Sequence, residues 1–354
     1  MGQKFLMKGN EAIAEAAIRN GCMHFFGYPI TPQTEVSAYM SKVMPKIGGT
    51  FLQAESEIAA INMVLGAASC GVRAMTSSSS PGISLKSEGV SYIAGSDVPC
   101  VILNVMRGGP GLGGIQPSQA DYWQATKALG HGDFQLIVLA PATVQEIVDL
   151  MGTAFDLADQ YRMPALILAD GMLGQMMEPV EFPEKKEAPA GAKDYATTGT
   201  QGKRKPNIIN SLYLQAPVLE QTIRDRFARY EQVKQNEVRV EEYACDDAEI
   251  ITVAYGATAR VVKGAVDMAR AEGIKAGLIR PITVWPFPTE TIAKAAEKAR
   301  GMLVVEMSMG QMVEDVRLAV NGRCGVSFFG RTGGVVPSPA EVLAEIKKLA
   351  GGTN

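Results

Sequence analysis

Four short segments concentrate the residue types that can do chemistry: Tyr28-Pro29-Ile30-Thr31-Pro32, Gln53-Ala54-Glu55-Ser56-Glu57, Thr76-Ser77-Ser78-Ser79-Ser80-Pro81-Gly82 and Arg107-Gly108-Gly109-Pro110-Gly111-Leu112-Gly113-Gly114. Two prolines stiffen the first, a turn built to aim the Thr31 hydroxyl. The second sets two carboxylates at the mouth of a helix. The helix dipole favours acidic residues there by about 0.3–1 kcal/mol, which accounts for one of them. Glu57 asks for more, because Ile58-Ala59-Ala60-Ile61 behind it predicts a buried helix. A carboxylate at the edge of a low-dielectric pocket has a raised pKa and serves as a proton donor. The serine run enters another helix, either as a phosphate cradle or as an N-cap region. Arg107 ends a strongly apolar strand, either to grip a substrate carboxylate with its fork or to pair with a local acid. Gly109-x-Gly111-x-x-Gly114 formally matches the dinucleotide fingerprint, but it follows the fourth predicted strand rather than the first.

These segments share one property: each follows an apolar run of strand length. The runs fall at 22–27, 50–54, 72–76, 99–105, 135–140 and 165–169. Helix-period segments alternate with them, which predicts βαβ units on a parallel sheet with helices on both faces. Ligands of such sheets sit beyond the carboxyl ends of the strands, where the four segments lie. Thr31 reads as an N-cap with Pro32 at the first helical position. Ser56 caps the next helix, and Thr143-Val-Gln-Glu146 reads as a capping box. From about Glu178 to Asp247 alternation gives way to Pro183-Glu184-Lys185-Lys186, to Ala188-Pro189-Ala190-Gly191-Ala192 and to a basic Lys203-Arg204-Lys205 cluster, read as a solvated loop. A polar helix near 217–239 follows. Alternation then resumes at Glu249 and runs to a last helix at Ser338-Pro339. The expected organisation is α/β with two doubly wound domains, 1–180 and 248–354, joined by a connection at 181–247.

The chain has 354 residues, more than one core accommodates, and its net charge of -3 makes no case for nucleic acid or an anionic membrane. No apolar run is long enough to span a bilayer. Met1-Gly2-Gln3-Lys4-Phe5-Leu6 lacks a signal-peptide core, so the expected location is cytoplasmic. Five scattered cysteines without a Cys-x-x-Cys suit buried reduced thiols rather than a disulfide framework or a metal cluster, and no metal site is expected on this chain.

Taken together, Tyr28–Pro32, Glu55-Ser56-Glu57-Ile58-Ala59-Ala60 and Arg107-Gly108-Gly109-Pro110 resemble the alpha subunit of the 2-oxoacid:ferredoxin oxidoreductases. Lys8-Gly9-Asn10-Glu11-Ala12 and the run from Val305 to Asp315 resemble that family as well, so the similarity covers nearly the whole chain. The resemblance implies a thiamine-diphosphate pyrimidine domain followed by a transketolase C-terminal-like domain. Glu57 would then hydrogen-bond the aminopyrimidine and drive the amino-imino exchange that deprotonates the thiazolium carbon. Thr31 and Arg107 match the family's substrate contacts. Tyr28 and Ile30 are expected beside them, with Pro29 and Ser80 beside Glu57 at the cofactor.

Thiamine enzymes hold the diphosphate through Mg²⁺ on a Gly-Asp-Gly motif followed by Asn. Ala169-Asp170-Gly171 meets no Asn until Asn207. The resemblance therefore puts the diphosphate, its Mg²⁺ and the iron-sulfur clusters on partners, a beta subunit, a gamma subunit and a ferredoxin-like chain, with a 2-oxoacid and coenzyme A as substrates. The loop from Gly111 to Trp123 is similar to that of subunits acting on branched-chain 2-oxoacids such as 2-oxoisovalerate. A 2-oxoglutarate enzyme would need a second cation, which this loop does not offer and which Arg73, another part of the chain or a partner would have to bring. Two rivals remain at this stage: a non-catalytic assembly subunit with the same fold, and a nicotinamide-dependent dehydrogenase using the glycine loop.

Overall fold

A computed structural model describes residues 3–185 and 193–351. Met1-Gly2 and the 188–192 run named above lie outside the described residues. The first half contains β1 (Lys4–Lys8), α1 (Gly9–Arg19), β2 (His24–Gly27), α2 (Thr34–Val43), β3 (Thr50–Gln53), α3 (Glu57–Ser69), β4 (Ala74–Ser78) and α4 (Ser80–Gly95). It continues with β5 (Val101–Met106), β6 (Ile137–Leu139), α5 (Val144–Tyr161), β7 (Ala165–Asp170), α6 (Gly171–Gln175) and β8 (Met177–Glu181). All six expected strands form. β5 and β7 are buried along their whole length and pair in parallel at the centre of the sheet, as expected of strands covered on both faces.

Ser56 and Thr143 cap their helices as expected, accepting from the backbone N–H groups of Ala59 at 3.2 Å and Glu146 at 3.0 Å. The Glu146 carboxylate reaches past the cap to the N–H of Ala142. Cys22 and Cys100 are buried, and burial pushes both thiols up to about 12, whereas Cys70 is exposed.

The second half opens with the long helix α7 (Ala216–Asn236) and the strand β9 (Val240–Tyr243). It then alternates through β10 (Ile250–Val253), α8 (Gly256–Ala271), β11 (Ala276–Pro281), β12 (Thr283–Trp285), α9 (Thr289–Ala296), β13 (Gly301–Glu306), α10 (Met312–Val320), β14 (Gly325–Gly330) and α11 (Pro339–Gly351). Its sheet runs β14-β13-β10-β11-β9, parallel except for the edge strand β9. Lys203 and Lys205 are exposed, as the loop reading requires.

The sequence reading did not anticipate three antiparallel pieces. β1 pairs with β8 in a small separate sheet. β9 adds an edge to the second sheet. Most consequentially, β12 leaves the second half of the chain to pair antiparallel with β6, so the first sheet reads β12-β6-β7-β5-β4-β2-β3.

Gln119 locks the two halves together. Fully buried, it donates from Nε2 to the Tyr255 carbonyl at 2.8 Å and from its backbone N–H to the Met307 carbonyl at 2.8 Å. Its Oε1 accepts from Thr258 Oγ1 at 2.8 Å and from the Met307 N–H at 3.0 Å. Arg280 of β11 adds a bridge to Glu146 of α5. Replacing Gln119 with Leu would leave three buried polar partners unsatisfied, at about 1–3 kcal/mol each. The expected result is a loss of at least about 3 kcal/mol in urea unfolding, and a variant within about 1 kcal/mol of the parent would contradict it.

Candidate active site

The chain enters the first sheet at β2, steps out to β3, then returns to β4 on the other side of β2. That reversal opens a crevice at the carboxyl ends of β2 and β4, the place where open α/β sheets bind ligands. The turn 28–33 leaves β2 there, α4 begins there, and the loop after β5 lies alongside.

The turn differs from the expected capped helix. α2 begins at Thr34 with Gln33 as its N-cap residue, so Thr31 is not an N-cap and Pro32 is not a first helical position. The reason is that Pro32 does not spend its carbonyl on a helix. It accepts from Asn10 Nδ2 at 2.7 Å and Gln175 Nε2 at 3.2 Å, while Gln33 reaches into the crevice to accept from Ser77 Oγ at 2.6 Å. The consequence favours chemistry: Thr31 is exposed and its hydroxyl makes no hydrogen bond among the described residues. Tyr28, Pro29 and Ile30 belong to the same turn, with Pro29 exposed and the other two half-buried.

Arg107 meets this turn directly. Its Nη1 donates to the Thr31 carbonyl at 2.9 Å and its Nη2 to the Leu112 carbonyl at 3.3 Å, whereas Nε is buried without a partner. Among the described residues Arg107 has no salt bridge, so the local-acid alternative is not realised. Ser80 ties the base of this arrangement: its Oγ accepts from the Arg107 N–H at 3.0 Å and donates to Asp121 Oδ2 at 2.6 Å, which also accepts from Asn104 Nδ2. Burial pushes the Asp121 carboxyl up, and these two bonds oppose the rise. The glycine loop folds back on itself, Gly114 N–H donating to the Gly108 carbonyl at 2.9 Å and Arg107 bridging to Pro117. It opens no helix, which the dinucleotide fingerprint requires.

Glu57 is the first residue of α3 and is 5 % exposed. The helix behind it is less enclosed than its composition suggests, since Ile58 is half exposed. The Glu57 carboxylate accepts no hydrogen bond among the described residues. It lies against the first turn of α4 at Gly82, where a Cβ would stand 2.6 Å from Glu57 Oε1 and 2.1 Å from Ser78 Oγ. The Ser78 hydroxyl is buried there without a partner, and those of Thr76 and Ser79 in the same strand-to-helix segment are likewise buried and unpartnered. An open carboxylate, orphaned hydroxyls and a position that tolerates no side chain form a cradle that suits a donor-bearing heterocycle.

The structure thus brings Thr31, Arg107 and Ser80 into one bonded group. Glu57 joins them only through α4, with no hydrogen bond or ion pair to Thr31 or Arg107. A groove of about 850 Å³ beside Thr31 is lined by Pro32, Ile115, Pro117, Met172 and Met176 and does not take in Glu57. Another cavity, of about 800 Å³, lies beside Trp285 and Phe287 and receives none of the candidate residues.

Two other groups named from the sequence have structural duties. Arg73 is buried and spent on Asp156, Asp159 and the Asn20 carbonyl. Asp170 caps α6, its Oδ1 accepting from the N–H groups of Met172 and Leu173. Lys86 and Asp121 escaped the sequence reading. The signal for Lys86 was present, because it shares a helical face with Ile83, Val90 and Ile93, all buried. Asp121 had no such pattern.

The family match identifies an α/β chain of the thiamine-enzyme type. Residues 15–245 match the family model described as pyruvate flavodoxin/ferredoxin oxidoreductase, thiamine diphosphate-binding, and residues 248–342 match the pyruvate:ferredoxin oxidoreductase core domain II. The chain belongs to this oxidoreductase family. It is 49% identical over 349 residues to a ketoisovalerate oxidoreductase subunit VorB of Methanothermobacter marburgensis, covering 99% of each chain. It is 37% identical to a 2-oxoglutarate synthase subunit KorA of the same organism, covering 98% of this chain and 99% of that one. Among solved structures, a 2-oxoglutarate:ferredoxin oxidoreductase from Magnetococcus marinus superposes with a TM-score of 0.88 at 27% identity, over 98% of this chain. This chain spans 65% of that longer one. A split-gene transketolase shares the fold, with a TM-score of 0.60 at 14% identity. Among the described residues no helix is long and apolar enough to cross a membrane.

Proposed function

We propose that this chain is the alpha subunit of a 2-oxoacid:ferredoxin oxidoreductase that decarboxylates a branched-chain 2-oxoacid, 2-oxoisovalerate, passes two electrons to ferredoxin and yields the acyl-coenzyme A. The observation that carries the reading is the Glu57 cradle: an unbonded carboxylate facing Ser78 across the gap left by Gly82. Thiamine diphosphate, when bound beside Glu57, would supply a carbon nucleophile and an electron sink for decarboxylation. Glu57 accepts and returns a proton at the aminopyrimidine, with Ser80 and Pro29 shaping the approach. Arg107 holds the substrate carboxylate in its fork, and the Thr31 hydroxyl orients the oxo group between Tyr28 and Ile30.

The diphosphate, Mg²⁺ and iron-sulfur clusters belong to partner subunits on this reading. Apolar side chains flank the cradle at the surface, with Leu52 40%, Ile58 50% and Leu85 52% exposed, as an interface that awaits a beta subunit would have. The 49% identity to the ketoisovalerate subunit supports the branched-chain substrate. So does Arg73, whose commitment to Asp156 and Asp159 removes it as a partner for a distal carboxylate.

The test is reconstitution with the beta, gamma and ferredoxin-like subunits, Mg²⁺ and thiamine diphosphate, followed by a panel of 2-oxoisovalerate, pyruvate, indolepyruvate and 2-oxoglutarate. The chain alone should be inactive. In the complex, 2-oxoisovalerate should lead 2-oxoglutarate by at least about tenfold in kcat/KM. A lead for 2-oxoglutarate would replace the substrate, and a complex turning over none of the four would leave an assembly subunit.

A further inference from the structure

The helix pair that carries Glu57 packs through an unusual seam. Gly82, Lys86 and Gly89 recur at helical spacing along one face of α4. Two of the three lack a side chain for a steric reason: a Cβ at 82 would stand 2.6 Å from Glu57 Oε1, and one at 89 would stand 2.4 Å from Ile61 Cγ2. Lys86 is therefore the only long side chain of the three, and it is 0 % exposed. An ammonium in such a place is costly unless a charge and hydrogen bonds compensate it. Its one hydrogen bond among the described residues runs from Nζ to the Glu57 backbone carbonyl, at 3.4 Å.

Resting on the reading of Glu57 as the carboxylate for the aminopyrimidine, we propose that Lys86 is a positioning residue of the same site: a buried ammonium that anchors the Glu57 backbone at the start of α3 and so keeps its carboxylate aimed at the gap beside Ser78. The reaction needs Glu57 as a proton acceptor before it can act as a donor. A charge-assisted bond from Nζ to the Glu57 carbonyl is sealed from water, which makes it a firmer anchor for the first residue of α3 than the same bond at a surface. Burial pushes Lys86 itself down to about 8, and the Glu57 charge opposes that fall. The other charged groups nearby are committed elsewhere or exposed. Glu55 faces solvent, Glu88 accepts from Tyr92, Asp121 is held by Ser80 and Asn104, and Arg107 is bonded to backbone carbonyls.

The decisive comparison uses Lys86→Met and Lys86→Gln in the complex reconstituted with its partner subunits. In both variants kcat at pH 7 should fall about tenfold or more. KM for the 2-oxoacid should stay within about twofold, because Lys86 does not touch it. The wild-type alkaline limb near pH 8 should vanish in both. Calorimetric titration with thiamine diphosphate should show weaker binding by about tenfold, a readout independent of turnover.

Profiles and affinities superimposable on the parent overturn the inference. Glu57→Gln separates the two levels: if it keeps full activity, the reading of Glu57 fails and the inference with it. If it is inactive while Lys86→Met matches the parent, the Lys86 inference alone fails. Should neither Lys86 variant assemble, the wild-type complex decides. Thiamine diphosphate affinity that falls through an ionisation near pH 8 supports the proposal, and a flat dependence from about pH 7 to 9 overturns it.

Discussion

Glu57→Gln should reduce 2-oxoacid-dependent dye reduction by the reconstituted complex about a thousandfold while the variant still folds and assembles. The size follows from what the substitution removes. Gln has the same shape and fits the same gap at Gly82, so packing against α4 survives. The carboxylate accepts no hydrogen bond in the described structure, so no donor is left unpaired, and the Lys86 ammonium keeps its bond to the Glu57 backbone carbonyl while losing the opposing charge. What disappears is the exchangeable proton and the negative charge, and proton transfer by a placed side chain contributes about 10²–10⁴ in rate. Single-turnover decarboxylation and a thermal melt on the same preparation check both halves. A rate within about threefold of the parent would remove Glu57 from the chemistry.

Arg107→Met should act on a different parameter. Two charge-assisted bonds to a substrate carboxylate, at about 1.5–3 kcal/mol each, predict a fall in kcat/KM of about 10²–10³, most of it in KM. The guanidinium has capacity for this: it has no salt bridge among the described residues, and it donates to the Thr31 and Leu112 carbonyls through one nitrogen each. Thiamine diphosphate affinity should not change, because Ser80 fixes the Arg107 backbone rather than its side chain. Steady-state kinetics with 2-oxoisovalerate and a cofactor titration together decide it. A variant with an unaltered KM but weakened cofactor binding would move Arg107 from the substrate to the cofactor.

Much of this site was legible in the sequence because it is local. Each of its segments follows an apolar run, and the parallel sheet turns those runs into a common edge. The misplaced N-cap at Thr31 shows the limit of such reasoning. A Thr-Pro pair reads as a helix start, but Asn10 and Gln175, distant in sequence, take the Pro32 carbonyl and move the start to Thr34. The same holds for β12, three residues long and without a strand-length apolar run, which exists because β6 offers it a free edge. Lys86 was missed for the opposite reason: its position in the helical period marked it as buried, but its charge argued for the surface. Gln119 carries no pattern at all, and its role lies in three residues of the far half of the chain, Tyr255, Thr258 and Met307.

The strand exchanged between the halves has a further consequence. β6 is Ile137-Val138-Leu139, fully buried, and β12 is what covers its outer edge. A fragment ending before residue 283 would present that apolar strand with its backbone donors and acceptors unpaired, a template for strand addition by other molecules. The second half of the chain thus acts as a guard for the sheet of the first. Cutting the chain at the apparent linker would yield material prone to edge-to-edge aggregation rather than a smaller working domain.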